Sequence, residues 1–265
     1  MEKISVLLPV YDLEKPDYFR LCLESIYEQS HAADEVIIVK DGEINNKLLA
    51  LIDEFKKKIN IVDILYTGDK KLSGALSYGL KFCKNEIIAR ADSDDIYHRD
   101  RLKEQIAYFQ KEKNLSVLGT WVMEFNEEVE DLKIIRRGFP AKNLFFINNP
   151  VHHSSVMFRK KDIIHSGSYI SLEGFEDWYL WLRVHENGFK IKNLQKILAY
   201  VRVGDNFFDR RSGFGYIKQE IFAHKLFYRK NLITFLNIFF NLIIRIPLRL
   251  LPKSILKFIY SLTRK

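Results

Sequence analysis

Short apolar runs alternate with longer amphipathic stretches through the first part of the chain. Four apolar runs predict buried strands, at residues 4–8, 35–40, 61–66 and 87–91. Three stretches with an apolar residue every three or four positions predict helices, at residues 16–29, 45–58 and 72–83. Strands and helices in this order predict an α/β fold built on a parallel sheet with right-handed crossover connections.

The second part of the chain is less regular. Helix or strand patterns recur at residues 101–113, 115–125, 156–158, 178–187 and 197–203. Glu176 and Asp177 open the aromatic-rich helix among these, and Gly188 follows it at a position where a glycine commonly ends a helix. An irregular, charged connection is expected after residue 125, up to about Pro150.

Polar residues follow three of the predicted strands. Residues 9–12 follow the first strand, Asp41 and Gly42 follow the second, and residues 92–95 follow the fourth. Ligands of such sheets bind outside the carboxyl ends of the strands, so these segments should converge on one crevice. No GxGxxG or GxxxxGK[ST] sequence follows the first strand, so neither dinucleotide binding nor P-loop chemistry is indicated.

Three carboxylates lie within four residues at the end of the fourth strand, those of Asp92, Asp94 and Asp95. Like charges packed this closely repel one another unless a cation is present. Mg²⁺ is often held by one or two carboxylates together with substrate phosphates. The same residues could instead form a solvated acidic turn that caps the next helix, because aspartate is a good N-cap. The cluster alone leaves both interpretations open.

Charge is distributed unevenly along the chain. From residue 210 onward there are twelve Lys and Arg residues and one acidic residue, Glu220, which gives a formal charge of +11. Residues 1–209 hold thirty Lys and Arg and thirty-three Asp and Glu, which gives −3. A basic tail is typical of proteins that bind nucleic acid or an anionic membrane.

The two cysteines form no metal or redox motif and exclude a disulfide framework, which suits a reducing compartment. The apolar run at the N-terminus is too short for a signal peptide, so we expect no export.

Five motifs, taken in order, resemble those of family-two glycosyltransferases of the bacterial capsule, exopolysaccharide and lipopolysaccharide type, including amylovoran-biosynthesis enzymes. They are Pro9-Val10-Tyr11, Lys40-Asp41-Gly42, and residues 88–95, 153–159 and 176–183. The resemblance implies a GT-A fold, a Rossmann-like mixed sheet flanked by helices. It also implies a nucleotide-sugar donor, expected to be a UDP-sugar, a divalent metal (Mn²⁺ or Mg²⁺), and inversion at the anomeric carbon. Residues 1–210 would form the catalytic domain, with a nucleotide-binding half at about 1–97 and an acceptor half at about 98–210.

The resemblance also assigns the donor site. Its expected residues are Pro9, Val10, Tyr11, Asp41, Arg90, Asp92 and Ser93. Asp94 would bind the metal, Asp92 would lie near both ribose and metal, and Asp41 would accept a hydrogen bond from the base. Asp95 would be either a supporting partner or, the version we favour, the cap of the next helix. The alternative for Asp41 is an ordinary Asp-Gly turn.

The family's catalytic base matches Asp177, with Glu176 as the competing candidate and as support for the acceptor. For both, the alternative is favourable charge at a helix N-terminus. His153 would face the donor or acceptor sugar, although a lone histidine is often a hydrogen-bonded structural residue. Trp178 could stack on a sugar, or it could belong to the core like Trp181.

The tail carries a second candidate function. The apolar run at residues 232–244 is shorter than the ~20 residues that span a bilayer. Residues 245–265 interleave large apolar side chains with six cations, a pattern that favours an interfacial helix on anionic lipid over a nucleic-acid arm. We therefore expect a peripheral enzyme on the cytoplasmic face of the bacterial plasma membrane, with a polyprenyl-diphosphate-linked glycan as acceptor. The alternative is a helical pair, residues 211–265, packed on the domain or on a partner chain.

Two other protein classes are weighed against this one. A sugar nucleotidyltransferase would need a glycine-rich, arginine-containing phosphate loop after the first strand, and residues 9–12 lack it. A membrane-associated scaffold could keep the fold without turnover.

Overall fold

The computed structural model describes residues 2–69, 71–126, 134–136, 146, 148–204, 211–251 and 255. The strands in this part of the chain are β1 (Ile4–Val10), β2 (Glu35–Asp41), β3 (Ile61–Tyr66), β4 (Ile87–Arg90), β5 (Ile96–Tyr97), β6 (Leu115–Phe125), β7 (Ile134–Arg136), β8 (Met157–Arg159) and β9 (Lys190–Arg202). The helices are α1 (Pro16–Tyr27), α2 (Asn46–Phe55), α3 (Leu72–Leu80), α4 (Arg101–Lys111), α5 (Lys160–His165), α6 (Glu176–Glu186), α7 (Gly213–Arg229) and α8 (Phe235–Leu250).

The strands form one mixed sheet in the order β3-β2-β1-β4-β8-β6-β9-β5, with β7 paired to β6. β1 pairs in parallel with β2 and β4, and β2 pairs in parallel with β3, which confirms the parallel sheet predicted for the first four strands. The sheet changes direction at β8, which runs antiparallel to β4 and β6. Because β1 lies between β2 and β4, the carboxyl ends of these three strands are adjacent.

Helix ends follow the local sequence. Pro16 begins α1, where its missing N–H leaves no bond unmade. Asn45 caps α2 by accepting hydrogen bonds from two backbone N–H groups, both at 3.2 Å. Gly188 follows α6 with φ +75°, so the predicted C-terminal glycine is confirmed. The predicted strand at 197–203 is instead the last part of the long strand β9.

Apolar side chains cover both faces of the sheet. Alternate residues of β1 point to opposite sides, so Val6 and Leu8 pack with α1 and α2 while Leu7 packs toward α3. Gly79 lets α3 lie directly on the sheet, because a Cβ atom there would be 2.4 Å from Val39 Cγ2 and 2.7 Å from Leu7 Cδ1.

The C-terminal helices pack on α6. The Phe227 ring of α7 stacks on that of Tyr179, with centroids 5.6 Å apart, and meets Trp178 edge-on. These contacts match the alternative prediction of a helical pair packed on the domain. α8 also differs from the prediction in its bounds, since one helix runs from the apolar stretch through Pro247 to Leu250.

The polarity of α8 is inverted relative to an ordinary surface helix. Asn241 and Arg249 are buried on its inner side. Its outer side carries six large apolar residues, each between 50% and 63% exposed: Phe235, Leu236, Phe239, Phe240, Ile243 and Ile244. Residues 252–254 and 256–265 of the predicted interfacial segment lie outside the described residues. Among the helices that are described, none combines the length and the hydropathy needed to cross a bilayer.

Candidate active site

The carboxyl ends of β1, β2 and β4 bring together the predicted donor residues. Residues 9 and 10 pair with residues 39 and 40 of β2, and the N–H of Ala91 donates to the carbonyl of Leu7 on β1 at 2.9 Å. Tyr11 is half-exposed beyond the end of β1. Val10 was predicted among the donor-binding residues, and in the structure its side chain is 1% exposed and belongs to the core. Only its backbone can line the crevice.

Arg90 and Asp92 form a two-pronged ion pair. Nη1 and Nη2 of Arg90 donate to the two carboxylate oxygens of Asp92. The arginine is buried, whereas the Asp92 side chain stays partly exposed. Arg90 was predicted as a donor-binding residue. In the structure both of its Nη groups bind Asp92, so Arg90 orients that carboxylate.

Asp94 lies in a strongly acidic environment. Burial, and then the charges of Asp92 and Glu14, raise its pKa to about 7. Glu14 is itself buried, which raises its pKa, while its hydrogen bond from Ser93 Oγ opposes that rise. Three neighbouring carboxylates of this kind favour a bound cation, because a cation removes their mutual repulsion.

The donor set agrees with a divalent metal completed by substrate phosphates. Within the described residues, no three His, Cys, Asp or Glu side chains surround one metal position. A site of one or two carboxylates plus phosphate oxygens does not require three. Asp94 fits the role of a ligand better than Asp92, because Arg90 already compensates the negative charge of Asp92.

Asp95 does not cap a helix, so the favoured prediction for this residue is wrong. The short strand β5 follows it, and the next helix, α4, begins only at Arg101. Asp95 is 1% exposed, and its Oδ1 accepts from the backbone N–H of Arg202 at 2.9 Å. Nε of Arg202 donates to the carbonyl of Asp94 at 3.2 Å. The end of β9 therefore holds the acidic loop in place, in keeping with the supporting role that was the other alternative.

The second half of the site lies at the N-terminus of α6, where Asp177 is the second residue of the helix. Its Oδ1 accepts from the backbone N–H of Trp178 at 2.7 Å, and its Oδ2 accepts from Nδ2 of Asn149 at 2.5 Å. Burial raises the pKa of Asp177, although these two hydrogen bonds lower it. Burial, and then the charge of Asp177, also raises the pKa of Glu176. A buried carboxylate with a raised pKa is a stronger base than one in water.

His153 is buried and is held by other side chains. Its Nε2 is 3.1 Å from the hydroxyl of Tyr169, and its ring meets Trp181 edge-on. Burial, with the nearby charge of Arg90, holds the pKa of His153 well below its usual value, so the ring is neutral. The geometry favours the hydrogen-bonded alternative.

Trp178 lies in the core. It is 3% exposed, and it is enclosed by His224, Phe227 and the guanidinium of Arg245. The structure therefore favours the alternative prediction, that Trp178 belongs to the core and does not stack on a sugar. Its backbone N–H still serves the site through the bond to Asp177.

Several site residues went unpredicted: Glu14, Asn149, Tyr169 and Arg202. Glu14 is only three residues beyond Tyr11, so reading the loop through to α1 would have found it. Asn149 and Arg202 carry no local signal, because their partners are distant in sequence. Tyr169 also borders a cavity of about 320 Å³ beside α3, which lies to the side of the acidic crevice.

The mixed sheet carries one group of carboxylates beyond β1 and β4 and another at the N-terminus of α6, the two groups that the family resemblance led us to expect. The chain belongs to glycosyl transferase family 2, whose model matches residues 5–168. The match includes the acidic loop and His153 and ends before Asp177. This membership confirms the family resemblance and removes the sugar nucleotidyltransferase alternative.

Characterised relatives match the chain from end to end. It is 36% identical to the Escherichia coli UDP-Gal:alpha-D-GlcNAc-diphosphoundecaprenol beta-1,3-galactosyltransferase, over 98% of this chain and 95% of that protein. It is 33% identical to the amylovoran biosynthesis glycosyltransferase AmsE of Erwinia amylovora, over 98% and 99%. These alignments extend over nearly all of the basic tail as well as the family domain.

Solved structures confirm the GT-A fold. The S. aureus TarS 1–349 complex with UDP-GlcNAc superposes with a TM-score of 0.65 at 18% identity, over 83% of this chain and 65% of that one. The mannosyltransferase PcManGT from Pyrobaculum calidifontis, in complex with GDP-Man and Mn²⁺, gives a TM-score of 0.60 at 15% identity, over 83% and 60%.

Proposed function

We propose that this enzyme transfers a sugar from a UDP-sugar to a lipid-linked diphosphate sugar, with inversion at the anomeric carbon. The observation that carries the proposal is the pairing of two carboxylate groups, the Asp94 loop at the sheet edge and Asp177 at α6. The names of the relatives support the substrates, because the E. coli enzyme is named for UDP-Gal and for a diphosphoundecaprenol acceptor.

The sheet edge holds the donor. Asp41 and Tyr11 lie beside the nucleoside, and the Asp92 carboxylate, oriented by Arg90, accepts hydrogen bonds from hydroxyl groups of the donor. A carboxylate has about four lone-pair sites, so Asp92 can do this while it keeps its pair with Arg90. Mn²⁺ or Mg²⁺ held by Asp94 would stabilise the negative charge that develops on the leaving diphosphate.

Asp177 activates the acceptor. Its carboxylate accepts the proton of the attacking hydroxyl as the bond to the anomeric carbon forms and the bond to the diphosphate breaks. Asn149 is a positioning residue, because it fixes one oxygen of the base at 2.5 Å. Glu176 lies next to the base and supports acceptor binding. Attack from the side opposite the leaving group inverts the anomeric carbon.

The outer face of α8 seats the enzyme on the membrane. Its six half-exposed apolar side chains are suited to the acyl boundary of a bilayer, and the tail's charge of +11 favours anionic lipid over nucleic acid in this context. This location, the cytoplasmic face of the plasma membrane, gives the base access to a lipid-linked acceptor.

A thermal-shift experiment tests the donor half. UDP with Mn²⁺ should raise the Tm of the wild-type protein, EDTA should reverse the rise, and Asp94→Asn should abolish it. Asp177→Asn should keep the UDP response and lose transfer at least 100-fold. Asp53→Asn is the matched control, because Asp53 is 73% exposed on α2. A metal-independent UDP response, or near-normal transfer by Asp177→Asn, would contradict the proposal.

Vesicle sedimentation tests the membrane half. The wild-type protein should sediment with phosphatidylglycerol vesicles, and the double change Phe239→Gln and Phe240→Gln should release it. Ile164→Gln is the control, because this residue is also about half-exposed but lies on α5. Equal binding by all three proteins would show that α8 is not the contact.

A further inference from the structure

An arginine-rich seam lies where α7 and α8 meet α6. We define it by the guanidinium groups of Arg245 and Arg249 on the carboxylate of Glu220, together with Arg211, which precedes α7 and whose charge, like theirs, acts on the hydroxyl of Tyr216. Glu220 is fully buried, and its two oxygens accept from Arg245 Nη1 at 2.9 Å and Arg249 Nε at 3.1 Å. Among the described residues from 211 to 251, Glu220 is the single acidic residue, so the seam carries a net positive charge.

The seam adjoins the catalytic base. The guanidinium carbon of Arg245 is 5.0 Å from the centroid of a Trp178 ring, and its Nη2 donates to Asn148 Oδ1 at 3.0 Å. Trp178 and Asn148 are the chain neighbours of Asp177 and Asn149, which are hydrogen-bonded to each other. Arg211 is exposed and is close enough to Asp177 for its charge to lower the pKa of that carboxyl. The seam therefore places positive charge next to the residues that adjoin the base.

The outer side of α8 is apolar. Arg245 lies on the inner side of α8, whereas Ile243 and Ile244 are more than half-exposed on the outer side. α8 therefore carries an apolar surface on its outer side and guanidinium groups on its inner side, the latter next to the residues that adjoin Asp177. This arrangement matches a molecule with an apolar chain, an anionic linker and a sugar hydroxyl.

We propose that Arg211 and Arg245 bind the diphosphate of the acceptor and so fix the sugar hydroxyl beside Asp177. This deepens the proposed function and rests on it. Guanidinium groups suit the role because their planar fork of N–H donors matches phosphate oxygens, and such charge-assisted bonds are among the stronger ones. Glu220 holds Arg245 in place for this contact, and Arg211 approaches from the exposed start of α7.

Calorimetric titration of the full chain tests the site without knowledge of the acceptor sugar. The donor site is first saturated with UDP and Mn²⁺, and farnesyl diphosphate, farnesyl monophosphate and inorganic diphosphate are then titrated separately. The wild-type protein should bind farnesyl diphosphate at least ten-fold more tightly than the other two. Arg211→Ala and Arg245→Lys should each weaken farnesyl diphosphate binding about ten-fold.

Arg229→Ala is the matched control. It removes the same charge from the far end of α7, about 24 Å along the helix from Gly213 by the rise of 1.5 Å per residue. It should leave the titration unchanged. Arg211 is exposed, so Arg211→Ala keeps the test valid even where a change at the half-buried Arg245 impairs folding.

Each other outcome overturns the inference. Equal affinity for the monophosphate would indicate a general headgroup site, and tight binding of inorganic diphosphate would indicate a free-phosphate site. An equal loss in Arg229→Ala would indicate bulk charge, and no loss in Arg211→Ala would place the diphosphate elsewhere. The thermal shift with UDP, measured on the same samples, separates these failures from a failure of the donor proposal itself.

Discussion

The Asp94 carboxyl should make the metal-free protein less stable as the pH rises. Its pKa is about 7 in the folded chain against 3.8 for the ordinary group, so the folded state binds the proton more tightly than the unfolded state does. Stability is therefore fully retained below about pH 4 and is lost as the pH rises toward 7. Metal at the site should restore it, because a cation favours the charged form.

The size of the effect follows from the shift. A difference of about 3 pKa units at ~1.36 kcal/mol each amounts to about 4 kcal/mol of unfolding free energy by pH 8. Asp94→Asn removes the ionisable group and keeps the shape. In EDTA at pH 8 the variant should therefore be more stable than the wild-type protein by up to about 4 kcal/mol, and the gap should close by pH 4.

Urea denaturation in EDTA at several pH values between 4 and 8 measures this difference directly. Asp53→Asn should show no such gap, because that side chain is exposed. A variant that is no more stable than the wild-type protein at pH 8, or a gap that does not change with pH, would refute the electrostatic reasoning. Adding Mn²⁺ and UDP at pH 8 should stabilise only the protein that keeps Asp94.

Three further changes probe the base, the seam and the core. Asn149→Ala should lower kcat about ten-fold. It should also move the acidic limb of the pH–rate profile to higher pH, because the hydrogen bond from Asn149 lowers the pKa of Asp177 and its removal raises that pKa. Glu220→Gln should cost about 3–5 kcal/mol in urea denaturation, because it leaves two guanidinium groups without their buried carboxylate. Gly79→Ala should cost about 1–3 kcal/mol by overpacking α3 against the sheet.

Each of these has its own check. An unchanged pH profile for Asn149→Ala would mean that the amide does not act on the base. If Glu220→Gln is as stable as the wild-type protein, the ion pairs of Glu220 do not contribute to the stability of the fold. For the core change, Gly215→Ala is the comparison: it also lies in a helix, a Cβ atom there meets nothing within 4 Å, and it should be neutral or slightly stabilising.

The strand-end loops were predictable because local patterns determine them. The apolar runs of the first, second and fourth strands each end in a polar segment that was assigned to the donor, and parallel pairing brings those segments together. The family motifs then separate their roles. The roles of individual side chains were less predictable, since the burial of Val10 and the pairing of Arg90 depend on packing.

The remaining differences come from contacts between distant parts of the chain. Asp95 resembles a helix cap locally, but a strand of two residues follows it, too short to show as a pattern, and its partner Arg202 is 107 positions away. The tail resembles an interfacial helix locally, yet three polar residues of α8, Asn241, Arg245 and Arg249, face inward. Their partners are Phe146, Asn148 and Glu220. Hydrophobic periodicity alone does not show which face of a helix a protein will cover.

The inverted polarity of α8 changes how shortened versions of this enzyme should be judged. Cutting the chain before α8 would remove more than the proposed lipid contact, because it would also strip Arg245 and Arg249 from the buried carboxylate of Glu220. It would uncover Trp178 as well, the neighbour of the proposed base Asp177. Loss of activity in such a protein would therefore not report on the membrane at all. Changes confined to the outer residues of α8 are the ones that separate attachment from catalysis.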